Sequence, residues 1–233
     1  ADPNRTMLGM VGEENLPDDY VTGLKRFKYR GSSGKVNLAL DGLPEFACRP
    51  EFGGHLKGDI TIAPSINYLE KAYDDAKYGD FSQHPFIDCV IPTLTDPSLA
   101  PPGKHIMSCF VQYAPYHLKE GADTWPDRRE EFGDTVVNTL AEYMPNLKSK
   151  ILYRQVLTPW DIEKKFGLTE GNIFQGELSL EQLLFQRPVA GWSSYQTPIK
   201  DLWLCGSGTH PGGGIIGSGG ELSAKTILRS RAV

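Results

Sequence analysis

Long apolar runs are missing from this 233-residue chain. No stretch of about 18 consecutive apolar residues occurs, so nothing in it reads as a membrane-spanning helix. An excess of positive charge is missing too. Lys and Arg number 24 against 29 Asp and Glu, a formal charge of -5, which excludes the global field that draws proteins to nucleic acid. Cysteine is scarce. Cys48, Cys89, Cys109 and Cys205 stand far apart with no C-x-x-C, which excludes a zinc knuckle or a redox dithiol. Each lies in or beside an apolar run, so all four are expected as reduced packing residues. Among the five histidines, His55, His84, His105 and His117 share no ligand spacing, and no metal site is expected. The opening Ala1-Asp2-Pro3-Asn4-Arg5-Thr6 has neither an initiator Met nor a signal-peptide core, so the chain reads as a piece of a longer translation product. Its expected setting is the cytoplasm, or the mitochondrial matrix if the source is eukaryotic.

What is present is a soluble, loop-rich composition, with 39% hydrophobic residues, 25 glycines and 17 prolines, long enough to bury a sizeable core. Met7 to Lys25 predicts one or two short helices joined at Leu16-Pro17-Asp18-Asp19. Val36, Leu38 and Leu40 alternate with polar or small residues and predict a strand with one core face. Further strands are expected at Asp59–Ile62, Phe86–Ile91, Ile106–Tyr113 and Ile151–Leu157. Ser65 is placed to cap a helix whose Ile66, Leu69, Tyr73 and Ala76 share a face. The clearest helix runs from Trp125 to Tyr143, with Phe132, Val136, Leu140 and Met144 spaced four apart. Thr158-Pro159-Trp160-Asp161 begins another, which Gly167 ends, and Asp161 is explained by that helix start rather than by catalysis. Sheet and helices up to Ile173 predict an α+β domain with a mixed or antiparallel sheet.

The character changes near the end. Leu202-Trp203-Leu204-Cys205 reads as a short apolar strand, Gly206–Gly220 is dense in glycine, and Glu221–Arg231 is helix-compatible. That order occurs where helix N-terminal amides meet a nucleotide phosphate. Gly212, Gly214 and Gly217 literally fit G-x-G-x-x-G, but six residues separate the strand from the first glycine and no ribose-binding acid follows, so a complete dinucleotide site is not expected. A P-loop and a nucleophile elbow are excluded, the first by the missing Lys and the second by the missing first glycine. Two readings of the glycines stay open: backbone donors approaching an anion, and room for close packing of helix on strand.

Several stretches together resemble a known family. Leu202 to Gly214, with Gly217 and Ala224, resembles the C-terminal flavin motif of the phytoene dehydrogenase-like FAD-dependent oxidoreductases. Lys35 to Leu40, Asp96 to His105, Thr158 to Asp161, Gln186-Arg187-Pro188 and Tyr195-Gln196-Thr197-Pro198 resemble the same family in the same order. The resemblance implies a C-terminal fragment in three parts: residues 1–24 adjoining an N-terminal FAD-binding half outside this chain, 25–175 a substrate-binding domain, and 176–233 the last strand, glycine loop and helix of a Rossmann-like FAD-binding domain. It implies FAD in the full-length protein, absent from or weakly held by this chain, with Gly206, Ser207, Gly208, His210, Gly212, Gly213, Gly214, Ile215 and Gly217 beside it. Ser207 stands where many two-dinucleotide-domain flavoproteins carry an Asp, which weakens the assignment. Trp192 and Tyr195 are implied to line the substrate cavity, or to pack between domains. For Arg187 both an ion pair and a cofactor contact stay open, and no catalytic residue is assigned. The activity implied is oxidation of an apolar small molecule by an enzyme of the amine oxidase or phytoene desaturase kind, with a non-enzymatic interaction module as the alternative. The faces that the N-terminal half would cover predict self-association or disorder in Gly206–Gly220.

Overall fold

A computed structural model describes residues 2–214 and 217–231. The chain forms two compact units, one of residues 32–160 and one of residues 1–31 together with 161–233. These divide at other positions than the boundaries of role expected above.

The contiguous unit is built on an antiparallel sheet. Its elements in order are β1 (Ser33–Leu40), β2 (Ile60–Ile62), α2 (Ile66–Lys77), β3 (Phe86–Val90), β4 (His105–Gln112), α3 (Trp125–Tyr143), α4 (Leu147–Lys150) and β5 (Ile151–Leu157), with α1 (Asp18–Arg26) preceding them in the chain. The five strands lie in the order β2-β3-β4-β1-β5. Alternation decides which face is core: Val36, Leu38 and Leu40 of β1 and Met107, Cys109 and Val111 of β4 are all buried. Against them packs α3, whose Phe132, Val136 and Leu140 are fully buried, together with Met144 just beyond it. Phe81, Trp125 and Phe132 form an aromatic cluster with ring centroids 5.4 to 5.9 Å apart. Gly34 lets this cluster approach the sheet, because a Cβ there would stand 2.6 Å from the Phe132 ring. Arg154 of β5 reaches the solvent side of α3, pairing with Glu130 and Asp134 at 2.6 Å each.

Ser65 caps α2 as expected, its hydroxyl accepting the Tyr68 amide at 3.1 Å. The face of α2 is only partly the expected one. Leu69 and Ala76 are half-buried as expected, but Ile66 is 81% exposed and Tyr73 is exposed, while Ala72 is buried and Tyr68 half-buried, its hydroxyl donating to the Pro85 carbonyl at 2.9 Å. The cysteines also divide. Cys89 and Cys109 are buried opposite one another on β3 and β4, but Cys48 and Cys205 are exposed, so the packing role expected of those two is corrected. All four are free thiols.

In the other unit, Arg5–Gly12 winds as a wide helical segment, followed by the turn Glu13–Asn15 and α1. Their inner residues Met7, Leu16, Tyr20 and Leu24 pack with Val189, and Trp192 and Leu204 lean on that cluster. Helix α5 (Pro159–Phe166) carries the chain out of the sheet unit, and α6 (Ser218–Arg231) closes it. The expected strand at Leu202–Cys205 does not form. Backbone pairing there is limited to a bridge between Gln196 and Trp203 and the flanking amides of Thr197 and Leu204, and a strand requires a ladder of such bonds with a neighbour. None of the described helices is long and apolar enough to cross a membrane.

Candidate functional site

The glycine segment is organised around a buried arginine. Arg187 has no solvent exposure, and its guanidinium donates to backbone carbonyls: Ser207 at 2.9 and 2.8 Å, Phe174 at 2.8 Å, Glu177 at 3.1 Å, Gly176 at 3.2 Å and Gln182 at 3.4 Å. It lies over the Phe27 ring at 5.2 Å. Loss of water pulls its pKa down to about 10, still charged at neutral pH. Of the roles left open for Arg187, the ion pair does not form among the described residues. Its partners are carbonyls rather than an acid, and its two bonds to Ser207 tie the start of the glycine loop to segment 174–182.

The loop is closed further by its own hydrogen bonds. The Thr209 amide and hydroxyl both donate to the Gly206 carbonyl, at 3.1 and 2.9 Å, and the Gly212 amide donates to the Thr209 carbonyl at 2.8 Å. The Gly208 amide donates to the Gln175 side chain at 3.2 Å. The two readings of the glycines are divided by position. A Cβ on Gly208 would meet Pro3 at 2.4 Å, on Gly213 the Phe174 ring at 2.2 Å, and on Gly219 the Gly206 carbonyl at 2.9 Å, so these three serve close packing. Gly206, Gly212, Gly214 and Gly217 have φ of +97°, +116°, +138° and +67°, where side chains are strained, and the Cβ position of Gly217 faces open space. Ile215 lies outside the described residues.

Two polar atoms beside this loop are buried with no hydrogen-bond partner among the described residues: His210 Nδ1 and Ser218 Oγ. Ser218 opens α6, a 14-residue helix whose first amides have no intrahelical acceptors. A loop shaped by glycine, an orphaned hydroxyl, an orphaned imidazole nitrogen and a helix N-terminus make a donor set that suits an anionic, hydroxyl-bearing cofactor portion. A cavity of about 50 Å³ lined by Pro3, Gln175, Cys205, Gly208 and Thr209 adjoins the loop.

Tyr195 is buried at φ +70°, and its hydroxyl donates to the His210 carbonyl at 3.1 Å. It therefore shapes the histidine's backbone. Trp192 meets Tyr20 edge-on at 5.3 Å and lines a separate cleft of about 590 Å³ with Arg26, Phe27, Glu181 and Val189. The two aromatics are thus not brought together on one wall. Sequence reasoning missed Asn172, whose side-chain carbonyl accepts the Phe174 and Gly176 amides and whose amide donates to the Tyr29 carbonyl. It also missed Asp2, buried and accepting from Tyr29 at 3.1 Å and from the Thr169 amide at 2.9 Å. No group of three metal-ligating side chains occurs among the described residues.

The glycine loop, its helix and the antiparallel sheet unit share their fold with an oxidoreductase. The crystal structure of an oxidoreductase from Methanosarcina mazei matches 97% of this chain and 41% of its own, with a TM-score of 0.55 at 17% identity. No protein-family profile matches the chain. Curated sequences do: pyridine nucleotide-disulfide oxidoreductase domain-containing protein 2 of Rattus norvegicus is 39% identical over 98% of the chain. Phytoene desaturase (lycopene-forming) of Pseudescherichia vulneris is 36% identical over 59% of it. The chain belongs to the phytoene dehydrogenase-like oxidoreductases, on the branch of pyridine nucleotide-disulfide oxidoreductase domain-containing protein 2. It spans 40% of the length of the rat protein and 26% of that of the bacterial desaturase.

Proposed function

We propose that this chain is the C-terminal part of a FAD-dependent oxidoreductase that acts on an apolar substrate. On this reading, residues 25–175 are the substrate-binding part and 176–233 complete a Rossmann-like FAD-binding domain begun elsewhere in the protein. The observation that carries it is the pair of buried, unpartnered atoms, His210 Nδ1 and Ser218 Oγ, flanking a glycine loop that Arg187 holds from behind.

The residues fit the group. Gly217, Ser218 and the first amides of α6 would meet hydroxyl or phosphate oxygens, and the positive end of the helix favours anionic charge there. Gly206, Ser207, Gly208, Gly212, Gly213 and Gly214 would shape the loop around them, with Arg187 and Thr209 keeping its carbonyls turned inward. His210 would offer its free nitrogen to the cofactor, its backbone set by Tyr195. A bound flavin supplies the redox chemistry. The chain's own residues bind, orient and exclude water, and none is placed as a general base.

Desalting the chain after incubation with FAD and recording its visible spectrum tests the reading. Flavin absorbance retained by the chain mixed with the N-terminal part of a full-length relative, and lost when the mixed chain carries Ser218→Ala combined with His210→Phe, is the expected result. Wild-type chain that retains no flavin either alone or mixed with the N-terminal part of a full-length relative would overturn it and favour a non-enzymatic module.

A further inference from the structure

The second face of the sheet is unlike its core face. Opposite residues across the ladder place Leu157, Lys35, Phe110, Asp88 and Thr61 in one row, from β5 through β1, β4 and β3 to β2. The rows beside it carry Asn37 with Ser108 and Gln155, then Ala39 with Ile106 and Tyr153. Lys35, Asn37, Ala39, Ile106, Ser108 and Phe110 are each half-buried, whereas their neighbours on the core face are fully covered.

Lys35 stands near the middle of this face on an interior strand. Its ammonium donates to the Ser108 hydroxyl at 2.7 Å. Among the described residues no carboxylate pairs with it. The acid on the same row, Asp88, lies two strand spacings away, about 10 Å, beyond the Phe110 ring, and already accepts from the Thr61 hydroxyl at 2.7 Å. Asn37 and Gln155 satisfy one another at 3.0 Å. A fixed positive charge that has lost part of its water, set among Phe110, Leu157, Ile106 and Ala39, gains most from an anion arriving with apolar surface attached.

We propose that this face binds an apolar small molecule ending in a carboxylate, with the carboxylate on Lys35 and the apolar body lying over Ala39, Ile106 and Phe110. This rests on reading the sheet unit as the substrate-binding part, and it narrows the substrate from apolar to acid-tipped. Charge complementarity selects the acid end, and Phe110, with Ala39 and Ile106 beyond the Asn37–Ser108 row, supplies the apolar surface.

The probe is a fluorescent polyene fatty acid titrated onto the chain below its micelle concentration, alongside its methyl ester. The acid should bind about tenfold more tightly than the ester. Lys35→Met should erase that preference while leaving ester affinity unchanged, with Lys57→Met as the surface control that keeps it. Ala39→Phe, which fills the strip between Ile106 and Tyr153, should weaken both ligands. Equal affinity of acid and ester for the wild-type chain overturns the proposal, as does a preference that survives Lys35→Met. If Lys35→Met fails to fold, the wild-type comparison and Ala39→Phe still decide. Flavin retention with no acid preference would sink this proposal and leave the oxidoreductase reading standing.

Discussion

Single residues carry much of the organisation of the glycine-loop unit, and Arg187 is the chief of them. Replacing it with Met would leave carbonyls of Ser207, Phe174 and Gly176 without donors in a buried place. Unsatisfied buried groups cost roughly 1–3 kcal/mol each, so Arg187→Met should lower stability by at least ~3 kcal/mol, read as a drop in the urea midpoint. Tyr20 behaves oppositely. Its hydroxyl is buried with no hydrogen-bond partner among the described residues, so Tyr20→Phe should be neutral or raise stability by up to ~1 kcal/mol at neutral pH. The same burial pushes the Tyr20 pKa up to about 12, and burial also takes Tyr68 to about 12. An unfolded tyrosine ionises near pH 10. Between about pH 10 and 12 the unfolded chain therefore gives up protons that the folded chain keeps, and stability should be full below this window and fall through it. Denaturant unfolding followed across that range checks the slope, which Tyr20→Phe should make shallower.

Elements differ in how much of them was legible. Helix α3 and strand β5 were readable to the residue, because proline at the start and a four-residue apolar repeat leave one way to bury the face. Removing the Phe132 side chain should cost about 3–5 kcal/mol, since it opens the contact with Phe81, Trp125 and the sheet at once. Helix α2 was found with its cap and half its face: Leu69 and Ala76 turn inward, but Ile66 and Tyr73 do not, and Ala72 and Tyr68, the latter bonded to Pro85, take their place. The apolar run at Leu202–Cys205 carried a strand's composition without a strand's partners. In the loop after it, glycines that look alike in sequence should respond differently: Gly213→Ala collides with the Phe174 ring, while Gly217→Ala meets no atom and pays a strain of roughly 1 kcal/mol. Thermal melts of the two variants should rank them in that order.

At the scale of the molecule, residues 32–160 hold a continuous core of their own, from Val36 on the sheet to Leu147 beyond α3. Expressed alone, this segment should fold cooperatively with its antiparallel sheet intact, as read by circular dichroism and a single unfolding transition. A non-cooperative melt would contradict the division into units. The five strands of the sheet, the principal helix, the glycine segment and the family were legible in the sequence, because periodicity, caps and ordered motifs are local and survive without knowledge of contacts. Only the tertiary structure shows which glycines are spent on packing, that Arg187 serves carbonyls from separate turns, and that Lys35 donates to Ser108 with no carboxylate beside it among the described residues. Those outcomes depend on residues far apart in the chain, such as Pro3 against Gly208 and Lys35 beside Ser108, and no local pattern encodes such meetings.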